Sequence, residues 1–345
     1  MPQSHEPSRR LRSILAARPR AFWPLLVALS LVACGGQAPS PAGSTRPATT
    51  AESPGAAGRT PSPVSPSPGD PRHIFLIVME NKEEGDVLGS PDAPYLNQLA
   101  ARYAVADHYY AIRHPSLPNY LALLGGDTFG VDSDCTDCFQ DAPNLADRLE
   151  AKGLTWTSYQ EDLPTPCSLV TDAGGTYALK HNPFLYFRAI RDDPARCDRV
   201  VPLSRLDGDL RSGDVPNFAW VTPNLVHDTH DGSVADGDRW LAGFVPQILA
   251  SAAWQQGGQL IITWDEGSSD QGCCGGAAGG RVALLVIAPD GPHGYHSATP
   301  ATHYGLLRTI EDEFGLTPLG HSGDAGVRSL ADLIADTAGR RATGG

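Results

Sequence analysis

Positive charge is scarce in this chain: 26 Lys and Arg stand against 39 Asp and Glu, a formal net charge of −13. Residues 1–33 hold five of the arginines and one glutamate, so from Cys34 onward the balance deepens to −17. That deficit excludes nucleic acid as a partner, because such binding rests on cationic contacts to phosphates. It also excludes adhesion to anionic lipid through a polybasic patch. An acidic protein acting on an anion has to create positive potential locally, and a bound metal is the usual means. The N-terminal region lacks an apolar run of spanning length, since Ala21–Ala33 falls short of the roughly 20 residues a bilayer requires. No internal repeat is visible, which leaves residues 73–345 for one large core, as a single domain or one with insertions.

What the N-terminus does contain is Arg9, Arg10, Arg12, Arg18 and Arg20 ahead of that short apolar run, the pattern of a secretory signal over residues 1–33. It closes on Leu31-Val32-Ala33-Cys34-Gly35, which resembles a bacterial lipobox with Cys34 as the lipidated first residue of the mature chain. Ordinary cleavage after Ala33, giving a secreted protein, is the alternative. Residues 34–71 are almost wholly Pro, Ser, Thr, Ala and Gly without apolar periodicity, and read as a disordered linker ahead of a folded domain at 72–345. The expected location is the cell surface, with the membrane reached only through the lipid anchor and no protein partner implied. Six further cysteines (Cys135, Cys138, Cys167, Cys197, Cys273 and Cys274) form an even set that suits export. Spacing does not fix their connectivity. Cys135 with Cys138 and Cys167 with Cys197 are the candidate pairs, and disulfides are favoured over zinc because adjacent Cys273-Cys274 makes a poor second half-site.

The folded part alternates between two periods. His73–Met79 is a continuous apolar run of the kind that parallel strands buried on both faces require. Further strands are expected at Thr155–Tyr159, Phe218–Thr222, Gln259–Trp264 and Val282–Ala288. Helices are expected at Ala93–Ala104, Tyr120–Leu124, Asn144–Lys152, Trp240–Ala250 and His303–Phe314, two of them stopped by Gly153 and Gly315. Strands alternating with helices predict an α/β fold, an α/β/α sandwich around a mainly parallel sheet. In such sheets the functional groups gather beyond the carboxyl ends of the strands.

Those ends carry chemistry. The first strand stops at Glu80-Asn81, and Leu260–Trp264 stops at Asp265-Glu266. Oxygen donors of this kind suit a divalent cation. Either pair alone is equally well a loop start; together they favour a metal. Ser116, in His114-Pro115-Ser116-Leu117-Pro118-Asn119-Tyr120, falls at the expected start of a helix, where unpaired N–H groups favour an anion. Its bland reading is a helix N-cap. A third cluster, His227-Asp228-Thr229-His230-Asp231-Gly232, follows the strand at Phe218–Thr222 and could supply ligands or an acid–base imidazole, although a polar turn has the same composition. His181 and His303 are further candidates, each structural on its own evidence.

Taken together and in order, Val78-Met79-Glu80-Asn81, Ala93-Pro94-Tyr95-Leu96-Asn97, the segment from His114 to Tyr120, His230-Asp231-Gly232-Ser233, Gly237-Asp238-Arg239-Trp240-Leu241, Thr263-Trp264-Asp265-Glu266 and His303-Tyr304 resemble the bacterial phosphoesterase family. That family groups acid phosphatases with phospholipases C in the alkaline-phosphatase-like superfamily, and the resemblance spans roughly residues 73–320. It implies one divalent metal held by Glu80, Asn81, Ser116, Asp265 and Glu266, with Ser116 as nucleophile and Asn81 beside it. It also implies His230 as the acid for the leaving oxygen, with His227, His303 and Asp231 near the phosphoryl group. The substrate implied is a small phosphoester or a phosphoinositide headgroup. A phospholipase C type diesterase and a non-catalytic, metal-binding surface lipoprotein are the rivals. Sulfatases of the superfamily need Arg four residues after the converted residue; Tyr120 stands there, so Ser116 is expected to remain a serine. The Gly267–Gly280 segment departs from the family pattern.

Overall fold

The computed structural model describes residues 72–334, so the signal segment, Cys34 and the linker lie outside the described residues. Eight strands form the main sheet: β1 (Ile74–Met79), β2 (Ala104–Ala106), β3 (Trp156–Gln160), β4 (Val200–Pro202), β5 (Phe218–Thr222), β6 (Gln259–Trp264), β7 (Leu284–Ile287) and β8 (Tyr295–Ser297). Their order across the sheet is β8-β2-β7-β6-β1-β5-β3-β4. All run one way except β7, which is antiparallel to both β6 and β2 and brings Leu284 opposite Thr263. The expectation of a mainly parallel sheet therefore holds, with the Val282–Ala288 strand reversed.

β1 lies at the centre, paired with β6 on one side and β5 on the other. Every one of its six residues is fully buried. At about 1.5–3 kcal/mol for each large apolar side chain removed from water, the strand cannot slide outward, and the residue that follows it is carried inward too. That residue is Glu80, itself 0 % exposed.

The longer helices are α1 (Pro94–Arg102), α2 (Ser116–Gly125), α3 (Leu145–Ala151), α4 (Arg205–Ser212), α5 (Val234–Leu249) and α6 (His303–Phe314). Asn144 and Ser233 cap α3 and α5 through capping boxes, and Gly315 ends α6 in the left-handed conformation. α5 starts six residues before the expected Trp240, because Ser233 with Asp236 makes a stronger start than the apolar pattern alone. α2 also starts earlier than expected. Pro115 holds its N-cap position and Ser116 is its first helical residue, making no side-chain cap bond. The capping role for Ser116 is thus overturned, and its hydroxyl is free for other partners.

Candidate active site

Two paired strands bring the acids together. Met79 lies opposite Trp264 in the β1–β6 ladder, so Glu80 and Asp265 leave the sheet side by side. Asn81, with φ 56°, turns the chain away, and its N–H donates to Asp265 Oδ1 at 3.1 Å. Glu266 follows, 6 % exposed. α2 then delivers Ser116, whose hydroxyl donates to Glu80 Oε2 at 3.0 Å and lies 3.4 Å from Glu266 Oε1. One turn along α2, the Tyr120 hydroxyl donates to Glu80 Oε1 at 2.7 Å.

This cluster holds more negative charge than its protein partners balance. Burial, then the charges of Glu80 and Glu266, push the Asp265 carboxyl well above the usual carboxylate range. Its buried Oδ2 has no hydrogen-bond partner. Glu266 is raised to about 7, by burial first and by Glu80 and Asp134 as well, with His114 pulling the other way. An orphaned buried oxygen among crowded carboxylates fits a hard divalent cation, so the residues present fit the expected metal. Among the described residues, Glu80, His181 and His230 form a second, overlapping donor set, with ligand atoms within 4.8 Å of one another.

His181 is the residue whose importance the sequence understated. It sits on a single 3₁₀ turn at Leu179–His181, fully enclosed. Its Nε2 lies 3.0 Å from Glu80 Oε1 and its Nδ1 3.3 Å from Asp228 Oδ2, and its ring stacks on Tyr120. Burial disfavours its charged form, but the two carboxylates outweigh burial and raise its pKa to about 9. In return, burial pushes Glu80 up while the charge and contact of His181 hold it below its ordinary value. Asp228 is raised to about 6 by burial, partly offset by His181.

His230 joins the cluster through the loop after β5. The Glu80 N–H donates to the Asp228 carbonyl, and the Thr229 hydroxyl donates to the Glu80 carbonyl, which fastens the loop to the end of β1. α5 packs against the same loop at Gly237, where a Cβ would fall 2.4 Å from Thr229 Cγ2. Asp231 Oδ1 lies 2.7 Å from His230 Nδ1, which leaves Nε2 toward Lys180 at 3.2 Å.

Two expected phosphate contacts lie elsewhere. His303 is fully buried; its Nε2–H donates to the Asp265 carbonyl at 2.5 Å and its Nδ1 accepts from the Tyr109 hydroxyl at 2.7 Å. Burial lowers its pKa to about 4, so both nitrogens of a neutral ring are spent on fixing the end of β6. His227 turns to Glu161, 2.9 Å away, and stacks on Trp240, so it is not brought together with Glu80 and Ser116. His114, by contrast, enters the site: Nδ1 lies 2.5 Å from Glu266 Oε2, while Nε2 lies 3.1 Å from the Ser269 carbonyl in the divergent Gly267–Gly280 segment. Its place next to the Pro115-Ser116 step was a signal that residue type alone did not decode.

The candidate disulfides both form, Cys135–Cys138 and Cys167–Cys197, and Cys273 and Cys274 are free and exposed.

The fold of this mainly parallel sheet is shared with solved structures that include a protein of the alkaline phosphatase superfamily. A member of that superfamily from Vibrio parahaemolyticus superposes with a TM-score of 0.52 at 15 % identity, over 76 % of this chain and 70 % of that one. A lipoteichoic acid synthase from Listeria monocytogenes gives 0.51 at 11 % identity, over 76 % of each chain. Within that fold the chain belongs to the Phosphoesterase family, which matches residues 82–317. It is similar to a phosphatidylinositol-3-phosphatase of Mycobacterium tuberculosis, 33 % identical over 256 residues that cover 73 % of this chain and 80 % of the relative. It is also similar to a phosphate-repressible acid phosphatase of Penicillium chrysogenum, 30 % identical over 71 % of this chain but only 59 % of the fungal protein.

Proposed function

We propose that the protein is a metal-dependent phosphomonoesterase that works through a phosphoserine intermediate at Ser116, on small phosphoesters and phosphoinositide headgroups. The observation that carries this reading is the Ser116 hydroxyl at a helix N-terminus, 3.0 Å from Glu80 and beside the unpartnered Asp265 oxygen. Glu80, Asn81, Ser116, Asp265 and Glu266 would hold the cation, which when bound supplies positive charge to phosphate oxygens and favours the ionised serine.

The chain's own residues supply the rest. Glu80 and Glu266 orient the Ser116 hydroxyl for in-line attack. The new bond joins Ser116 Oγ to phosphorus as the bond from phosphorus to the alcohol oxygen breaks. His230, oriented by Asp231, gives its proton to that departing oxygen, and water afterwards releases phosphate from the serine. His181, held charged between Glu80 and Asp228, keeps Glu80 ionised and in place. We further propose export as a surface lipoprotein through Cys34; the two disulfides suit an oxidising compartment.

Hydrolysis of p-nitrophenyl phosphate tests the scheme. Metal-loaded protein should turn over, whereas chelator-treated protein and Ser116→Ala should lose roughly a thousandfold or more, as removal of a nucleophile does. Full activity in either sample sinks it.

A further inference from the structure

Beside the nucleophile stands an ion pair that the scheme above leaves unused. Lys180 Nζ donates to Asp134 Oδ2 at 2.9 Å, and lies 3.2 Å from His230 Nε2. The other oxygen of the same carboxylate, Oδ1, accepts the backbone N–H of Leu117 at 3.1 Å. Leu117 follows Ser116 in the first turn of α2, where N–H groups have no intrahelical acceptor. Two donors beside the serine hydroxyl therefore converge on one anion, and that anion is the protein's own. The side chains of Lys180 and Asp134 are 21 % and 28 % exposed, so an anion arriving from solvent reaches both. Asp134 is held at this spot by its neighbour Cys135, which is bridged to Cys138 and whose carbonyl accepts the Tyr186 hydroxyl at 2.9 Å.

We infer that Lys180 is the side chain that receives the phosphoryl group, and that Asp134 is a placeholder occupying the Leu117 N–H and the Lys180 ammonium until a phosphate monoester takes them over. The inference rests on the phosphomonoesterase reading of the same site. Its physical basis is charge balance. Glu80, Asp265, Glu266 and Asp228 crowd the floor of the site, so an incoming anion needs fixed cations beside Ser116. A monoester brings two negative charges near neutral pH and a diester one, so a single ammonium at this position favours the monoester. Lys180 is then a specificity determinant as well as a binding residue.

Calorimetric binding of inorganic phosphate to the metal-loaded protein tests this, alongside hydrolysis of p-nitrophenyl phosphate and bis-p-nitrophenyl phosphate. Lys180→Gln should weaken phosphate binding about ten- to hundredfold, the worth of one hydrogen bond between charged groups. It should also lower kcat/KM for the monoester more than for the diester. Lys180→Arg, which keeps the charge, should bind phosphate within about threefold of wild type, an Arg-for-Lys change preserving charge but not shape. Asp134→Asn should bind phosphate as tightly as wild type or more tightly, because it removes only the competing anion. Unchanged phosphate binding in Lys180→Gln overturns the inference, and so does no measurable binding by wild type. Equal weakening in Lys180→Gln and Asp134→Asn also overturns it, since that is the behaviour of an ion pair serving only the fold. Wild type that binds phosphate through Lys180 but hydrolyses no monoester would support this inference while refuting the proposed activity.

Discussion

Glu80 and Asp265 stand on the ends of two paired strands, with Met79 and Trp264 in register behind them, whereas His181, Lys180 and His230 arrive on irregular segments. The difference follows from the sign of the forces. Carboxylates repel one another, and only a scaffold as fully buried as β1 and β6 holds them within reach of one hydroxyl. The basic groups are attracted to the place they occupy, so a single 3₁₀ turn and a loop pinned at Thr229 are enough to present them.

That contrast can be broken from either side, most visibly in metal-stripped protein. His181→Ala leaves Glu80 and Asp228 buried without their shared partner, and loss of one member of a buried pair costs about 3–5 kcal/mol. The melting temperature should fall sharply, and turnover of the metal-loaded protein should drop by roughly tenfold to a hundredfold, the scale of losing a partner that orients a metal-binding group. Asp265→Asn should do the opposite to stability. It removes one of the crowded acids, a carboxyl whose ionised form is opposed by burial and by the charges of Glu80 and Glu266. The stripped protein should therefore melt higher than wild type, while losing metal-dependent activity. A stripped Asp265→Asn protein that melts lower than wild type would contradict the picture of an overcharged acidic half.

A third, smaller effect concerns pH. The folded protein holds the His181 proton up to about 9, above the 6.5 of a free histidine. Its favourable contribution is therefore complete below pH 6.5 and is lost as pH rises through about 9. Melting of stripped protein between these limits should show that decline, and His181→Gln should flatten it. The smallest effect is expected at His227, which faces Glu161 and Trp240. His227→Ala should keep turnover within about twofold, as surface substitutions away from a site usually do.

The acidic half was legible in the sequence because an apolar strand ending in an acid is a local pattern. Glu80-Asn81 and Asp265-Glu266 needed no tertiary knowledge beyond the rule that strands of a parallel sheet end on one edge. Ser116 was legible as a residue at the start of a helix but not as the first residue within it, since Pro115 takes the cap. The basic half was only partly legible: His230 was expected at the site from the family pattern and joins the cluster, whereas His181 read as structural. His181 is distinguished from His303 only by where its ring ends up, and both are fully buried. His227 and His230 share one loop and one composition; the bond from the Glu80 N–H to the Asp228 carbonyl decides which of them faces the acids. Asp134 carried no signal apart from the cysteine beside it.

The reversed strand β7 has a consequence for where the chain beyond β6 runs. A parallel successor to β6 would force the chain back to the far edge of the sheet before it could re-enter. Because β7 runs the other way, with Leu284 opposite Thr263, the chain between Trp264 and Leu284 departs and returns at the same rim, beside Asp265 and Glu266. Its two ends are fastened there, with the Gly267 N–H donating to the Gly279 carbonyl and the Gly280 N–H to the Gln271 carbonyl. The stretch between these fastenings, which carries Cys273 and Cys274, therefore lies at the rim of the acid cluster and outside the strand order of the sheet.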